Sequence, residues 1–212
     1  MSSRENCIII AAMEISDKDS QKIKSISNPY IICADAGYHN ALKYSISPDI
    51  LLGDFDSFGG DLSKVEVNTL SFPVEKDDTD TMLAIKEGIS HGCESFFIFG
   101  AIGGRIDHTF ANITGLKHLV DNNCRGWIMS DANCITMIQN SEITIESNKN
   151  YKYISVFSYS DYSTGVCIDN CKYPLDDYRL ENRFPLGVSN HIIGKECKIT
   201  VENGTLLIVL SA

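Results

Sequence analysis

Ser95-Phe96-Phe97-Ile98-Phe99-Gly100-Ala101-Ile102-Gly103-Gly104-Arg105-Ile106-Asp107-His108 is the run from which the architecture follows. A short, unbroken apolar stretch ends at a glycine, as in a strand covered on both faces. Gly100, Gly103 and Gly104 then allow a tight turn. Ile106, Phe110, Ile113, Leu116 and Val120 follow at helical spacing and predict a helix over 106–120 with those five on its buried face. Strand, glycine turn and helix together make the building unit of an α/β sheet.

The same unit recurs upstream. Strand-like runs at 7–12, 30–34, 50–52, 66–71 and 95–99 alternate with helix-like segments, and two more runs follow at 127–130 and 134–138. The clearest of the other helices is 80–91, where Met82, Ile85 and Ile89 recur at spacings of three and four. The short continuous apolar runs predict an α/β domain with a largely parallel sheet over 1–140. Beyond residue 140 the helical rhythm stops. Strand-like runs at 141–146, 151–157, 165–168, 184–188, 198–201 and 206–210 are separated by turn signals at 147–150, Pro174 and Asn203-Gly204. They predict an all-β sandwich over 141–212. No linker rich in Pro, Gly or Ser divides the two halves, so they are expected to pack firmly.

Composition narrows the function. With 212 residues, 43% of them hydrophobic, the chain can bury a real core. A net charge of -10 argues against nonspecific binding to nucleic acid or anionic membrane, both of which need a cationic surface. No apolar run approaches the ~20 residues of a membrane span, and the first residues lack a signal-peptide pattern, so a cytoplasmic protein is expected. The eight cysteines are scattered without a Cys-x-x-Cys pair, which favours buried, reduced thiols. Cys167 and Cys171 have no clear second ligand pair for zinc.

Chemistry-bearing residues gather where strand patterns end, the edge at which open α/β sheets bind ligands. Asp35 follows Tyr30-Ile31-Ile32-Cys33-Ala34, and Asp54 and Asp56 follow Ile50-Leu51-Leu52-Gly53. Two carboxylates spaced by two point the same way in an extended segment, where they repel unless a cation lies between them. Mg²⁺ suits that need; a loop with turn-forming Asp and Ser residues explains the same letters. Lys76-Asp77-Asp78-Thr79-Asp80 precedes the helix at 80–91. Asp77 reads as its cap and Asp78 and Asp80 as dipole partners, or Asp80 completes a metal site with Lys76 neutralising phosphate. Gly103, Gly104 and Arg105 suit phosphate binding at a helix start. Asp107 and His108 fall in its first turn. There is no Walker-type Gly-x-x-x-x-Gly-Lys loop.

These runs, in this order, resemble the thiamine pyrophosphokinase family: Ala34-Asp35-x-Gly37, Pro48-Asp49-x-x-x-Gly53-Asp54-x-Asp56-Ser57, Lys76-Asp77-x-Thr79-Asp80, and Gly100-x-x-Gly103-Gly104-Arg105-x-Asp107-His108. The likeness continues in Thr164-Gly165-Val166, Tyr173-Pro174-Leu175 and Ser189-Asn190. It implies transfer of the pyrophosphoryl group of ATP to the hydroxyl of thiamine, giving thiamine diphosphate and AMP. It also implies a Mg²⁺ requirement and a homodimer with active sites between subunits. Carried over, Asp54, Asp56 and Asp80 form the catalytic, metal-binding centre. Asp35, Lys76, Gly103, Gly104, Arg105, Asp107 and His108 contact ATP and its phosphates. Asp77, Thr79, Ser189 and Asn190 contact thiamine. The tryptophan that stacks on thiamine in animal members has no evident counterpart, since the only one here, Trp127, falls in the first half; Phe184 or His191 is the substitute. Two other functions fit parts of the pattern: a metal-dependent phosphatase or nuclease, because clustered aspartates also serve hydrolysis, and a non-catalytic thiamine or nucleotide sensor.

Overall fold

A computed structural model describes residues 5–53, 67–71 and 77–212. The contacts divide the chain into two units, Met1–Asp131 and Ala132–Ala212.

The first unit is an all-parallel sheet with helices. Its strands are β1 (Asn6–Ile10), β2 (Tyr30–Ala34), β3 (Ile50–Gly53), β4 (Asn68–Ser71), β5 (Ser95–Phe99) and β6 (Arg125–Met129). Their order is β6-β5-β1-β2-β3-β4, and each neighbouring pair is parallel. The strands between β1 and β4 are laid outward in one direction, and β5 then returns to the other side of β1. The crevice between β1 and β5 is therefore the topological switch point.

The apolar runs are continuous because both faces are covered. Ile8 and Ile10 point into a cluster with Ile15, Ile23, Tyr38 and Ala41, contributed by α1 (Asp17–Ser25), α2 (Gly37–Lys43) and the loop after β1. On the other face, Cys7 and Phe96 lie so close to Gly88 of α3 (Asp80–Ser90) that an added Cβ would meet them at 2.9 and 2.5 Å. Each fully buried Ile or Phe contributes roughly 1.5–3 kcal/mol.

The helix starting at Ile106 is α4 (Ile106–Asp121), but its buried face differs from the expected one. Asn112, Gly115, Leu116 and Leu119 are buried, whereas Ile106 and Phe110 are 70% and 65% exposed. Gly115 sets this rotation: a Cβ there would come within 2.7 Å of Ile85 Cδ1 on α3, so the small residue faces the neighbouring helix. On α3, likewise, Ile85 is buried and Met82 and Ile89 are only half-buried.

The second unit is an antiparallel sandwich. One sheet runs β12 (Gly187–Asn190), β9 (Tyr153–Ser158), β14 (Thr205–Ser211) and β7 (Asn133–Gln139). The other runs β11 (Leu175–Glu181), β10 (Tyr162–Asp169), β13 (Glu196–Thr200) and β8 (Glu142–Glu146). The β7 strand belongs to this unit because it pairs along its length with β14, from Asn133↔Ser211 to Gln139↔Thr205. Alternation is clean in β9, where Ile154, Val156 and Ser158 are buried between half-buried neighbours. Among the described residues, no helix is long and apolar enough to cross a membrane.

Candidate active site

Because the first sheet is parallel throughout, the carboxyl ends of β1, β2, β3 and β5 share one edge. The helices α3 and α4 each lead back from that edge, so their first turns face it as well.

At the switch point the chain after β1 is bonded to the chain after β5. Ala11 N–H donates to Phe99 O at 2.8 Å and Met13 N–H to Gly100 O at 3.0 Å. Gly100 is obligatory there: its φ is +66°, and a Cβ would stand 2.5 Å from Met13 O and 2.7 Å from Ala11 O. Two buried asparagines that sequence reasoning passed over fix these loops. Asn40 of α2 donates to Met13 O at 2.8 Å and Ala11 O at 3.3 Å, and accepts from Ile15 N–H at 3.3 Å. Asn112 of α4 donates to Ala101 O at 2.8 Å. A polar residue beside core positions on a helix was their only sequence signal.

Gly103 and Gly104 are exposed, with φ of +113° and +60°, and lead into Arg105, the residue before α4. No side chain caps this helix start. Open N–H groups and exposed glycine backbone are what an anion needs. Arg105 lies fork-on against Asp107, Nη2 to Oδ2 at 2.5 Å and Nε to Oδ1 at 3.2 Å. Asp107 Oδ1 also accepts from His108 N–H at 3.0 Å. The Arg105 hydrogen bond, aided by that backbone donor, holds the Asp107 carboxyl below its usual range.

Asp35 closes β2 in a left-handed conformation, φ +46°, with its N–H donating to Leu52 O at 2.7 Å. Aspartate tolerates this region better than most residues do. Gly53, at the end of β3, packs against it: an added Cβ would lie 3.2 Å from Asp35 Cα. Asp54, Asp56 and Lys76 lie outside the described residues. Asp80 is the first residue of α3. The α3 cap is Thr79, whose hydroxyl accepts from Met82 N–H at 3.2 Å, and not Asp77 as the sequence suggested, because Thr79 is the residue immediately before the helix. Asp78 instead reaches Lys86 at 2.6 Å, and Asp77 is exposed. Among the described residues, no three His, Cys, Asp or Glu side chains converge as a metal site. The donors on offer at this edge, Asp35 and Asp80, are hard carboxylate oxygens, the donor type Mg²⁺ takes.

In the sandwich unit, Ser189 sits in a bulge of β12, where the pairing with β9 shifts between Gly187 and Asn190. Its φ is +58°, its N–H donates to Ser155 Oγ at 3.0 Å and the residue is exposed. A bulge re-aims a side chain in this way. Asn190 is turned inward: Oδ1 accepts from Tyr173 N–H and His191 N–H, both at 2.9 Å, and Nδ2 donates to Tyr173 O at 2.7 Å. Next to it, His191 meets the Tyr153 ring at 4.9 Å between centroids, and both line a cavity of about 300 Å³. Phe184 is 62% exposed beside a second cavity of about 380 Å³, also lined by Tyr178, Arg179 and Leu186.

The site therefore belongs to a two-unit protein: a doubly covered parallel sheet with an anion-suited turn at its switch point, followed by an antiparallel sandwich. Residues 24–128 match the family model for the thiamin pyrophosphokinase catalytic domain, and residues 140–206 match that for its vitamin B1 binding domain. The chain belongs to the thiamin pyrophosphokinase family, whose reaction is transfer of the pyrophosphoryl group of ATP to thiamine. The thiamine pyrophosphokinase of Bacillus subtilis is 29% identical over 184 residues, covering 85% of this chain and 86% of that protein. The crystal structure of a Bacillus subtilis thiamine pyrophosphokinase superposes with a TM-score of 0.88 at 25% identity, over 98% of this chain and 99% of the other. The corresponding Geobacillus thermodenitrificans structure gives 0.85 at 23% identity, over 97% of each chain.

Proposed function

We propose that this chain makes thiamine diphosphate and AMP at the carboxyl edge of its parallel sheet, with Asp54, Asp56 and Asp80 as the acidic centre. The observation carrying this reading is the switch-point turn. Gly104 and the uncapped start of α4 offer backbone N–H groups beside Arg105, and next to them the Gly103 N–H makes only a long 3.4 Å contact to Thr109 Oγ1, a grouping suited to a polyphosphate. Arg105 uses two of its donors on Asp107 and keeps the rest for phosphate oxygens; Lys76 and His108 add to them. Asp107 orients the guanidinium, and Asp35 borders the nucleotide.

Mg²⁺, held by Asp54, Asp56 and Asp80, would offset the triphosphate charge and polarise the β-phosphoryl group. The thiamine hydroxyl oxygen attacks the β-phosphorus, the bond from that phosphorus to the α-phosphate oxygen breaks, and AMP departs. Asp80 or Asp56 accepts the hydroxyl proton. Holding nucleophile and phosphorus in line supplies most of the acceleration in such reactions.

Asp77, Thr79 and Ser189 are the thiamine contacts in this reading. Asn190 serves the same pocket through the Tyr173 and His191 backbone it holds, and Phe184 or His191 supplies the ring beside the cationic thiazolium. Two copies of the chain would share each site. Support comes from Phe184, Leu186, Val188 and Ile193, large apolar side chains left exposed on the sandwich unit. Eight free thiols fit a cytoplasmic setting.

Incubation of the purified protein with ATP, Mg²⁺ and thiamine, with and without EDTA, tests the reading. Equal amounts of thiamine diphosphate and AMP, lost with EDTA, are expected. Inorganic phosphate without a thiamine product would overturn it in favour of hydrolysis.

A further inference from the structure

Cys171 and Cys197 lie in the sandwich unit with their sulfurs 3.0 Å apart. Both are free thiols, 3% and 0% exposed. Cys197 is held in β13 between β8 and β10, in register with Ile145. Cys171 follows β10 and makes a single antiparallel bridge to Ile192. Lys172 N–H to His191 O at 2.8 Å and Ile193 N–H to Asn170 O at 2.9 Å fix the backbone on either side of that bridge. The two sulfurs are thus presented to each other by anchored strands, not brought together by loose side chains.

The separation selects the chemistry. A disulfide needs about 2.05 Å between sulfurs, so closure asks for a shift of about 1 Å. An ion bridging two thiolates would instead have to push them apart, since each metal–sulfur bond is itself about 2.3 Å. We propose that Cys171 and Cys197 are an oxidation site that a peroxide-class oxidant converts to an intramolecular disulfide. The Cys171 thiol, 3% exposed where Cys197 is fully buried, is the attacking group. The Cys171 sulfur attacks one peroxide oxygen, the O–O bond breaks and one water leaves, giving the sulfenic acid. The Cys197 sulfur then attacks the Cys171 sulfur, its proton leaves with the sulfenic oxygen as a second water, and the S–S bond forms. Two thiols and one hydrogen peroxide give one disulfide and two waters.

The bridge would pin the Cys171–Tyr173 segment, which Asn190 grips, to β13. Asn190 follows Ser189 in β12, so the bridge would act on the backbone held next to that bulge.

The test treats the full chain and its Cys171→Ser variant with hydrogen peroxide, alkylates remaining thiols under denaturing conditions, and maps peptides by mass. Wild type should lose two of its eight alkylatable thiols and yield a Cys171–Cys197 linked peptide pair. The variant should yield no linked pair. Retention of all eight thiols, stalling at the sulfenic or sulfinic acid, or linkage of another pair such as Cys7 and Cys93 would overturn the proposal. Should Cys171→Ser not fold, peptide mapping of wild type alone decides between the same outcomes.

Discussion

Asp107 lies against Arg105, and that contact governs what each offers a phosphate. The carboxylate removes two donors from the guanidinium but aims the remainder, and it gains in return a lowered pKa. Since its folded value is depressed, the pair's contribution is present above the ordinary carboxylate range and fades as pH falls through the folded value. Both side chains are exposed, so the effect belongs to charge at the turn and not to global stability. An NMR titration of the Asp107 carboxyl should give a midpoint below its ordinary 3.8. A midpoint at or above that value would show that the Arg105 contact does not persist in solution. Asp35 and Ser189 make the matching point about backbone: each takes a left-handed φ without being glycine, and each stands where the sequence reading placed a substrate.

Elements carry the next level of constraint. The turn between β5 and α4 depends on Gly100, because any side chain there collides with the carbonyls of Ala11 and Met13. Gly100→Ala should cost on the order of 2 kcal/mol in urea unfolding, since strain at positive φ adds to the clash. An unchanged midpoint would mean that the β1–β5 crevice is softer than its hydrogen bonds imply. Most of these elements could be read directly from the letters. The β2 and β5 limits coincide with their apolar runs, and α3 and α4 begin where the spacing begins. The β11 strand, by contrast, was missed. Its sequence Leu175-Asp176-Asp177-Tyr178-Arg179-Leu180-Glu181 lies at a sheet edge with only Leu180 buried, so no alternation marks it. The α4 face was read one side off because Gly115 and Asn112, which carry no apolar signal, take the buried positions. Strand order was not legible at all, since local pattern carries no record of which strand lies beside which. The inward role of Asn190 was equally hidden, because an amide that binds substrate and one that clamps backbone are the same letter.

At the scale of the molecule, the question is how the two units cooperate. Asp54→Asn should abolish turnover with the circular dichroism of the fold retained. Ser189→Ala should raise the KM for thiamine while leaving that for ATP unchanged. If each site draws on two copies, mixing these variants under subunit exchange and assaying at low thiamine should restore about a quarter of wild-type activity. Half the dimers are then mixed, each with one intact site. No recovery in a verified mixed dimer would confine each site to a single chain.

The place of β1 in its sheet has a consequence for biogenesis. This strand leaves the ribosome well before β5, yet its register runs from Asn6↔Ser95 to Ile10↔Phe99, so one of its two edges waits for the chain to reach β5. Until then an almost wholly apolar strand at the middle of the future sheet presents an unpaired flank. Pairings of such long sequence separation close slowly. Nascent chains halted before residue 95 should therefore depend on holdase chaperones, and those extended past residue 99 and clear of the exit tunnel should not.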